Sequence, residues 1–415
     1  MEQASIKLSH PTKEISGVVQ LTGSKSESNR ALIIQAISQG KVTIQNLSSA
    51  DDTLLLTKAL KTAHKAQNSV KTINIGPAGT AMRFLTSYLN LLQSEFILTG
   101  TSRMQQRPIG ILVSALNSIG TDIQYDQHEG YPPLRIRGPL IQTQESVKIE
   151  GDVSSQYISS LLLIASALEK GLTLEIEGEL TSLPYVTMTL NMLSEVGIKH
   201  LWVENSIQIR AQQAQESILY IEPDWSAASY WYAIIALSKN GSIRLPGLKK
   251  NSLQGDIAIA DIMTHFGVKT TFEADGIYLE KTDAVSNKTI FDFKSCPDLA
   301  QTVVVVASAL KQNISFTGLE TLRIKETDRI AALQQEISKY GARLEEDGIN
   351  YHLDTQKVAD PGTITIKTYE DHRMAMAFAP LALFFKNIII EEPQVVEKSY
   401  PTFWEDLRNQ GFFIS

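Results

Sequence analysis

The 415 residues predict an α/β chain of two domains, each made of three β-α-β-α-β-β units with buried inner helices. Three observations carry this reading. A polar or glycine-bearing opening followed by a helix rich in Ala, Ser, Leu, Ile and Val recurs six times. Five glycines, Gly120, Gly197, Gly267, Gly341 and Gly411, close a second, amphipathic helix at a near-constant interval. Copies two to five also have room for two short strands around a turn.

The openings are Gly23-Ser24-Lys25, Gly76-Pro77-Ala78-Gly79-Thr80, Gly151-Asp152-Val153-Ser154-Ser155-Gln156, Pro223-Asp224-Trp225-Ser226, Cys296-Pro297-Asp298-Leu299 and Glu370-Asp371-His372-Arg373. The runs that follow, such as Tyr157–Leu168 and Thr302–Leu310, are apolar on every side, as core helices are. The sixth, Met374–Phe385, is equally apolar but carries Pro380. The second helices (Ile111–Ile119, Val186–Val196, Ile257–Phe266, Ala331–Tyr340) are amphipathic and end where a left-handed residue is needed, hence glycine. Thr121–Tyr125 and Leu134–Gly138 exemplify the strand pair. Copy one lacks room for this pair, because only Lys65–Ile75 joins its second helix to the next opening.

Copy six ends at Ser415 without its last strands, which Ser5–Gln20 can supply. That predicts a discontinuous domain of residues 1–21 and 226–415, with residues 22–225 inserted as the other. Both crossings then fall at a cleft between the domains, where ligand sites tend to lie.

Composition narrows the function. Apolar content of 43% and charged content of 20% are those of a globular protein. The first twenty residues have no apolar core of a secretory signal, and the runs Val303–Leu310 and Ala375–Phe385 are too short to span a bilayer. A lone cysteine, Cys296, excludes internal disulfides and fits a reducing cytoplasm. The seven histidines show no metal-ligand spacing. A net charge of −7 argues against nucleic acid, so positive charge for anionic substrates must be concentrated locally.

Gly23-Ser24-Lys25-Ser26-Glu27-Ser28-Asn29-Arg30 supplies such a place. It lies between a strand-like Gly17–Leu21 and the apolar Ala31–Ile34. Capping hydroxyls, helix N–H groups, Lys25 and Arg30 make an anion cradle. Its spacing is not that of a nucleotide P-loop, which favours a phosphorylated or carboxylated metabolite. Arg83, Arg107, the run Arg323-Ile324-Lys325-Glu326-Thr327-Asp328-Arg329, Arg373 and Lys398 stand at equivalent junctions of their repeats. One arginine at a helix end is ordinarily a solvated cation; all of them at matching places point to a site. Asp298 and Glu326 are the acid–base candidates, although Asp298 also suits a helix cap. Cys296 beside proline is more often a packed residue than a nucleophile.

Together these motifs resemble the 5-enolpyruvylshikimate-3-phosphate synthase family essentially end to end. The likeness rests on Gly23–Arg30, Ala78-Gly79-Thr80-Ala81-Met82-Arg83, Arg103–Gly110, Ser154-Ser155-Gln156, Arg323–Arg329 and Asp371-His372-Arg373-Met374-Ala375. It implies transfer of the enolpyruvyl group of phosphoenolpyruvate to the 5-hydroxyl of shikimate 3-phosphate, a step toward chorismate and the aromatic amino acids. It also implies no metal or organic cofactor, a cytoplasmic monomer without nucleic-acid or membrane partners, and sensitivity to glyphosate. By the resemblance, shikimate 3-phosphate meets Lys25, Ser26, Arg30, Ser154, Ser155, Gln156, Ser182, Tyr185, Asp298 and Lys325, with Thr321 where the family commonly has Asn. Phosphoenolpyruvate meets Lys25, Gly79, Arg107, Gln156, Arg329, Arg373 and Lys398. Asp298 is implied as the base for the hydroxyl proton; Glu326 and Lys398, with Lys25, complete the catalytic set. Pro77 and Phe84 depart from the family pattern, which has Asn and Pro there.

Two rivals are weighed. The UDP-N-acetylglucosamine enolpyruvyl transferases share the fold, but typically carry Lys-Asn in place of Lys25-Ser26 and a cysteine near Arg107, which Thr101–Gly110 lacks. A binding-only relative is disfavoured by intact Lys25, Asp298, Glu326 and Lys398.

Overall fold

In the computed structural model, which describes residues 5–65, 70–151, 154–178, 180, 183–283 and 288–415, every opening leads into a buried helix. Ser24 caps Lys25–Ile37, Ser154 caps Ser155–Ala165, Asp224 caps Trp225–Leu237 and Asp371 caps His372–Phe378. In each, a side-chain oxygen accepts a first-turn N–H that the helix itself cannot satisfy. Gly79–Tyr88 and Ala300–Ala309 begin without a side-chain cap. The five closing glycines all take positive φ, from 76° at Gly267 to 108° at Gly120, as their C′ position demands.

Contacts divide the chain into two compact units, Gly23–Ile221 and Met1–Thr22 with Glu222–Ser415. The second crossing therefore lies at 221/222, earlier than the expected 225/226. Glu222 explains the difference: its carboxylate accepts from Trp225 Nε1 at 2.8 Å, Lys249 N at 2.7 Å and Ser252 Oγ at 2.6 Å, all in its own unit.

Within Gly23–Ile221, two four-stranded sheets follow one plan. The first runs Lys71–Asn74, Glu95–Thr99, Leu134–Arg137, Asp122–Tyr125; the second runs Ser146–Glu150, Leu172–Glu177, Ser206–Ile209, His200–Val203. The leading pair is parallel and the rest antiparallel. The first repeat has only Val42–Gln45 paired with Ser217–Tyr220, as its short gap requires.

The other unit repeats the plan three times. Its sheets run Glu14–Val18, Asn240–Pro246, Gly276–Lys281, Val268–Glu273; then Ile290–Asp292, Ser315–Thr317, Asn350–Asp354, Arg343–Asp347; then Thr363–Ile366, Asn387–Glu391, Ser5–Ser9, Phe413–Ile414. The N-terminal segment is thus split. Ser5–Ser9 completes the sixth sheet, beside the chain's own Phe413–Ile414. Glu14–Val18 instead pairs parallel with Asn240–Pro246 of the fourth. The strand expected at Gly17–Leu21 lies earlier, at Glu14–Val18, where that partner fixes its register.

Pro380 also changes the sixth inner helix. The α-helix ends at Phe378 and Ala379–Leu383 continues as a 3₁₀ turn, because proline has no N–H to donate. Small hydroxyl residues let inner helices approach closely: Ser87 Oγ lies 2.6 Å from Ser160 Oγ in one unit, and Ser229 Oγ 3.4 Å from Thr302 Oγ1 in the other. Among the described residues no helix is long and apolar enough to cross a membrane.

Gly341 tests the repeat's hinge chemistry. Its φ is 93°, and a Cβ there would stand 2.2 Å from the Lys357 carbonyl oxygen, a backbone atom that cannot step aside. Gly341→Ala should therefore destabilise its unit by about 1–3 kcal/mol, read as a lower denaturant midpoint. An unchanged midpoint would show that this loop yields freely.

Candidate active site

In Gly23–Ile221 the cradle forms as its residue types require. Ser24 Oγ accepts from Glu27 N at 3.4 Å, which places Lys25 and Ser26 in the first turn. Lys25 Nζ lies 3.4 Å from Asp52 Oδ2. Arg30 is 2% exposed. Its Nε donates to Thr189 Oγ1 at 2.7 Å, Nη1 to the Ser26 carbonyl at 2.9 Å, and Nη2 to Ser159 Oγ at 3.0 Å and the Tyr185 carbonyl at 3.3 Å. The guanidinium also sits 5.3 Å from the Phe84 ring centre and 5.8 Å from that of Tyr185. Burial pulls the Arg30 pKa down to about 10, against the opposing pull of Tyr185 and Glu27.

Gly79 opens its inner helix directly beneath Arg107: a Cβ on Gly79 would lie 2.7 Å from Arg107 Nη1. Buried Arg83 straps the two segments together. Its Nη1 donates to the Gly79 carbonyl at 3.3 Å and its Nη2 to the Pro108 carbonyl at 3.0 Å. Tyr157 Oη donates to the same Pro108 carbonyl at 2.5 Å. Ser154 caps the third inner helix beside Ser155, and Gln156 Nε2 reaches Thr80 Oγ1 at 3.4 Å. This unit thus gathers Lys25, Ser26, Arg30, Gly79, Arg107, Ser154, Ser155, Gln156 and Tyr185. Ser182 lies outside the described residues.

The other unit centres on Arg329, which is 2% exposed and grips three carboxylates. Nε donates to Asp371 Oδ2 at 2.7 Å, Nη1 to Asp298 Oδ1 at 3.1 Å and Nη2 to Glu326 Oε2 at 2.9 Å. Burial opposes the charge, but Asp371, Glu326 and Asp298 more than offset it, so the guanidinium pKa is raised. Lys398 Nζ lies 3.1 Å from Glu326 Oε1, and Arg373 Nη2 lies 2.9 Å from Asp298 Oδ2. Arg373 Nη1 donates to the Asp298 carbonyl at 3.2 Å and to Tyr230 Oη at 3.3 Å. Asp298 and Glu326 therefore each stand between two cations. Thr321 is the second residue of the 3₁₀ segment Glu320–Ile324 and Lys325 its C-cap, just before Glu326. Thr321 Oγ1 is buried with no hydrogen-bond partner among the described residues.

Cys296 belongs to the packing. It is 4% exposed, and burial, then the charges of Asp256, Asp292 and Asp298, push its thiol up to about 12. Three carboxylates escaped the sequence reading: Asp52, the partner of Lys25; Asp371, taken only as part of a motif; and Asp256, which meets Ser226. Each lies in the first turn of a helical segment or caps it, which in sequence is indistinguishable from ordinary capping.

Comparison with known proteins decides the family. The model of EPSP synthase (3-phosphoshikimate 1-carboxyvinyltransferase) matches residues 9–407. A 3-phosphoshikimate 1-carboxyvinyltransferase of Bacteroides fragilis (strain YCH46) is 46% identical over 409 residues, covering 98% of each chain. The chain belongs to the EPSP synthase family. A second family member, from Sulfurovum sp. (strain NBC37-1), is 37% identical over 426 residues, covering 96% of this chain and 97% of its own. The fold matches a solved EPSP synthase from Acinetobacter baumannii, with a TM-score of 0.77 at 20% identity over 99% of both chains. It also matches the enolpyruvyl transferase NikO from Streptomyces tendae, with a TM-score of 0.73 at 14% identity over 100% of this chain and 99% of that one.

Within the family pattern, Phe84 is the departure with a visible consequence. Phe84 stands where the resemblance implies proline; it lies within the helix Gly79–Tyr88 and its ring is beside the Arg30 guanidinium. The lone thiol offers a direct test of the site's packing. At pH 8 Cys296 should react with a maleimide at least about a hundred-fold slower in the folded protein than in urea. Comparable rates would mean that this segment opens to solvent.

Proposed function

We propose that this chain transfers the enolpyruvyl group of phosphoenolpyruvate to the 5-hydroxyl of shikimate 3-phosphate and releases phosphate. The observation that carries the reading is the placement of Asp298 and Glu326, each between two cations, in a chain of this family. Phosphate release that requires both substrates together is the direct assay; none above background would overturn it.

The residues divide the work by charge and geometry. Lys25, Ser26, Arg30, Ser154, Ser155, Gln156, Ser182, Tyr185, Thr321 and Lys325 serve the sugar-like phosphate. Lys25, Gly79, Arg107, Gln156, Arg329, Arg373 and Lys398 serve phosphoenolpyruvate, whose carboxylate and phosphate suit arginine forks. Asp298 takes the hydroxyl proton as the new C–O bond forms. Glu326 and Lys398, 3.1 Å apart, supply the proton to the methylene carbon and recover it as phosphate leaves. When Arg373 and Lys398 turn to an incoming anion, positive charge is withdrawn from Asp298 and Glu326. Both carboxylates become more basic at the moment a proton must move. The lone cysteine fits a reducing cytoplasm and the acidic balance disfavours a nucleic-acid partner; the monomer is what the family resemblance implies.

Asp298→Asn keeps the shape of the side chain and removes its basicity. It should lower kcat by about 100- to 10,000-fold while shikimate 3-phosphate still binds. A kcat within about threefold of the parent would remove Asp298 from this role.

Gly79→Ala should spare the fold, because the atom its methyl meets is the mobile end of Arg107. It should raise KM for phosphoenolpyruvate and weaken competing inhibition by glyphosate, each by about tenfold or more. Unchanged constants for both ligands would place residue 79 outside their pocket.

A further inference from the structure

Nothing in the scheme above uses Asp256, yet it is buried among the reacting charges. It lies in the 3₁₀ turn Gly255–Ala258 and is 5% exposed. Its Oδ2 accepts a hydrogen bond from Ser226 Oγ, and its Oδ1 is buried with no hydrogen-bond partner among the described residues. Ser226 Oγ in turn accepts from Arg373 Nη2 at 3.3 Å, the same nitrogen that faces Asp298 Oδ2 at 2.9 Å. A continuous path runs from Asp256 through Ser226 and Arg373 to Asp298.

The charged and titratable groups around Asp256 come from three elements. Asp298 and Cys296 lie at the fifth opening, Arg373 on the sixth inner helix, and Asp224 before the fourth. Burial and then the charge of Asp298 push the Asp256 carboxyl up to about 7, while Arg373 and the Ser226 hydroxyl hold it down. Its ionisation therefore changes within the neutral range.

A serine hydroxyl has one proton to give. With Asp256 ionised, that proton points to Asp256 and the oxygen lone pairs face Arg373. With Asp256 protonated, its own O–H takes one of the two Ser226 lone pairs, and the Ser226 proton is no longer fixed on Asp256. The lone pair facing Arg373 is then no longer held in place. We propose that Asp256 is a positioning residue which, through Ser226, holds the Arg373 fork in the orientation that receives an anion. The inference rests on the reading that Arg373 meets phosphoenolpyruvate.

The test is steady-state kinetics from pH 6 to 8 on the parent, Asp256→Asn, Ser226→Ala, the double variant and Arg373→Lys. Taking the ratio of variant to parent at each pH cancels the titration of the substrate itself. For Asp256→Asn, the phosphoenolpyruvate KM ratio should be about ten at pH 8 and fall toward one at pH 6, because the parent then also carries a proton there. KM for shikimate 3-phosphate should stay within about twofold at every pH. Ser226→Ala should raise the phosphoenolpyruvate KM similarly, the double variant should be no worse than the worse single one, and Ser226→Thr should restore the parent value. A ratio that does not change with pH, or an equal loss in both KM values, overturns the proposal and leaves Asp256 a packing residue. Should Asp256→Asn fail to fold, Ser226→Ala and Ser226→Thr decide by the same KM comparison. Arg373→Lys separates the two layers. If it turns over with an unchanged phosphoenolpyruvate KM, the assignment of Arg373 falls and the inference with it. If it raises that KM while Asp256→Asn gives a flat ratio, the inference alone falls.

Discussion

A buried guanidinium keeps its charge, so polar or charged partners must be brought to it, and for Arg329 these are carboxylates. Arg329 imposes that constraint on the unit Met1–Thr22 with Glu222–Ser415. Its three carboxylate partners come from the fifth opening (Asp298), the approach to its own helix (Glu326) and the sixth opening (Asp371). A planar fork accepts partners only in fixed directions. The starts of the fifth and sixth inner helices are therefore fixed with respect to one another by one side chain. Asp371 is used twice over, since its other oxygen accepts from Arg373 N at 2.8 Å and caps the sixth inner helix. Of the three carboxylates, only Asp371 is fully buried, so its loss would cost the most stability.

Arg30 in the other unit is equally buried and has the opposite electrostatics. Its hydrogen-bond partners are hydroxyls and carbonyls, and the groups facing its plane are rings. Burial consequently dominates and lowers its pKa, whereas the carboxylates around Arg329 raise that one. The contrast bears on anion binding. Arg30 and the neighbouring hydroxyls leave positive potential in the cradle. Arg329, Arg373 and Lys398 hold carboxylates. On the proposed reading an incoming anion competes with these, which would couple ligand charge to the basicity of Asp298 and Glu326.

Within each unit, the repeat architecture explains why these residues stand at the junctions of the repeats. Each inner helix begins at a polar opening, so its N–H groups and capping side chains lie together with the catalytic candidates. The repeat is not closed copy by copy, however. Glu14–Val18 precedes the first inner helix but pairs beside the fourth, and Ser217–Tyr220 precedes the fourth but pairs beside the first. Each parallel pair supplies what a βαβ crossover supplies elsewhere, with the two leading strands exchanged. Parallel pairing constrains register only through the partner actually present, which is why the strand sits at Glu14–Val18 instead of Gly17–Leu21.

What the sequence determined by itself was whatever local chemistry and periodicity can encode. Six openings, apolar inner helices, glycines at C′ positions and the short first repeat all follow from spacing and from the φ that only glycine adopts cheaply. The cationic residues at the junctions were legible for the same reason, as were Asp298 and Glu326. Which groups share a proton or a charge is not local. Asp52, Asp256 and Asp371 look like ordinary helix-start acids in sequence, and only their meeting with Lys25, Ser226 and Arg329 gives them a role. Phe84 likewise reads as a departure from a motif until the Arg30 guanidinium lies beside its ring. Tertiary structure decided these because burial, and with it the strength of every charge–charge contact, depends on neighbours far away in the chain.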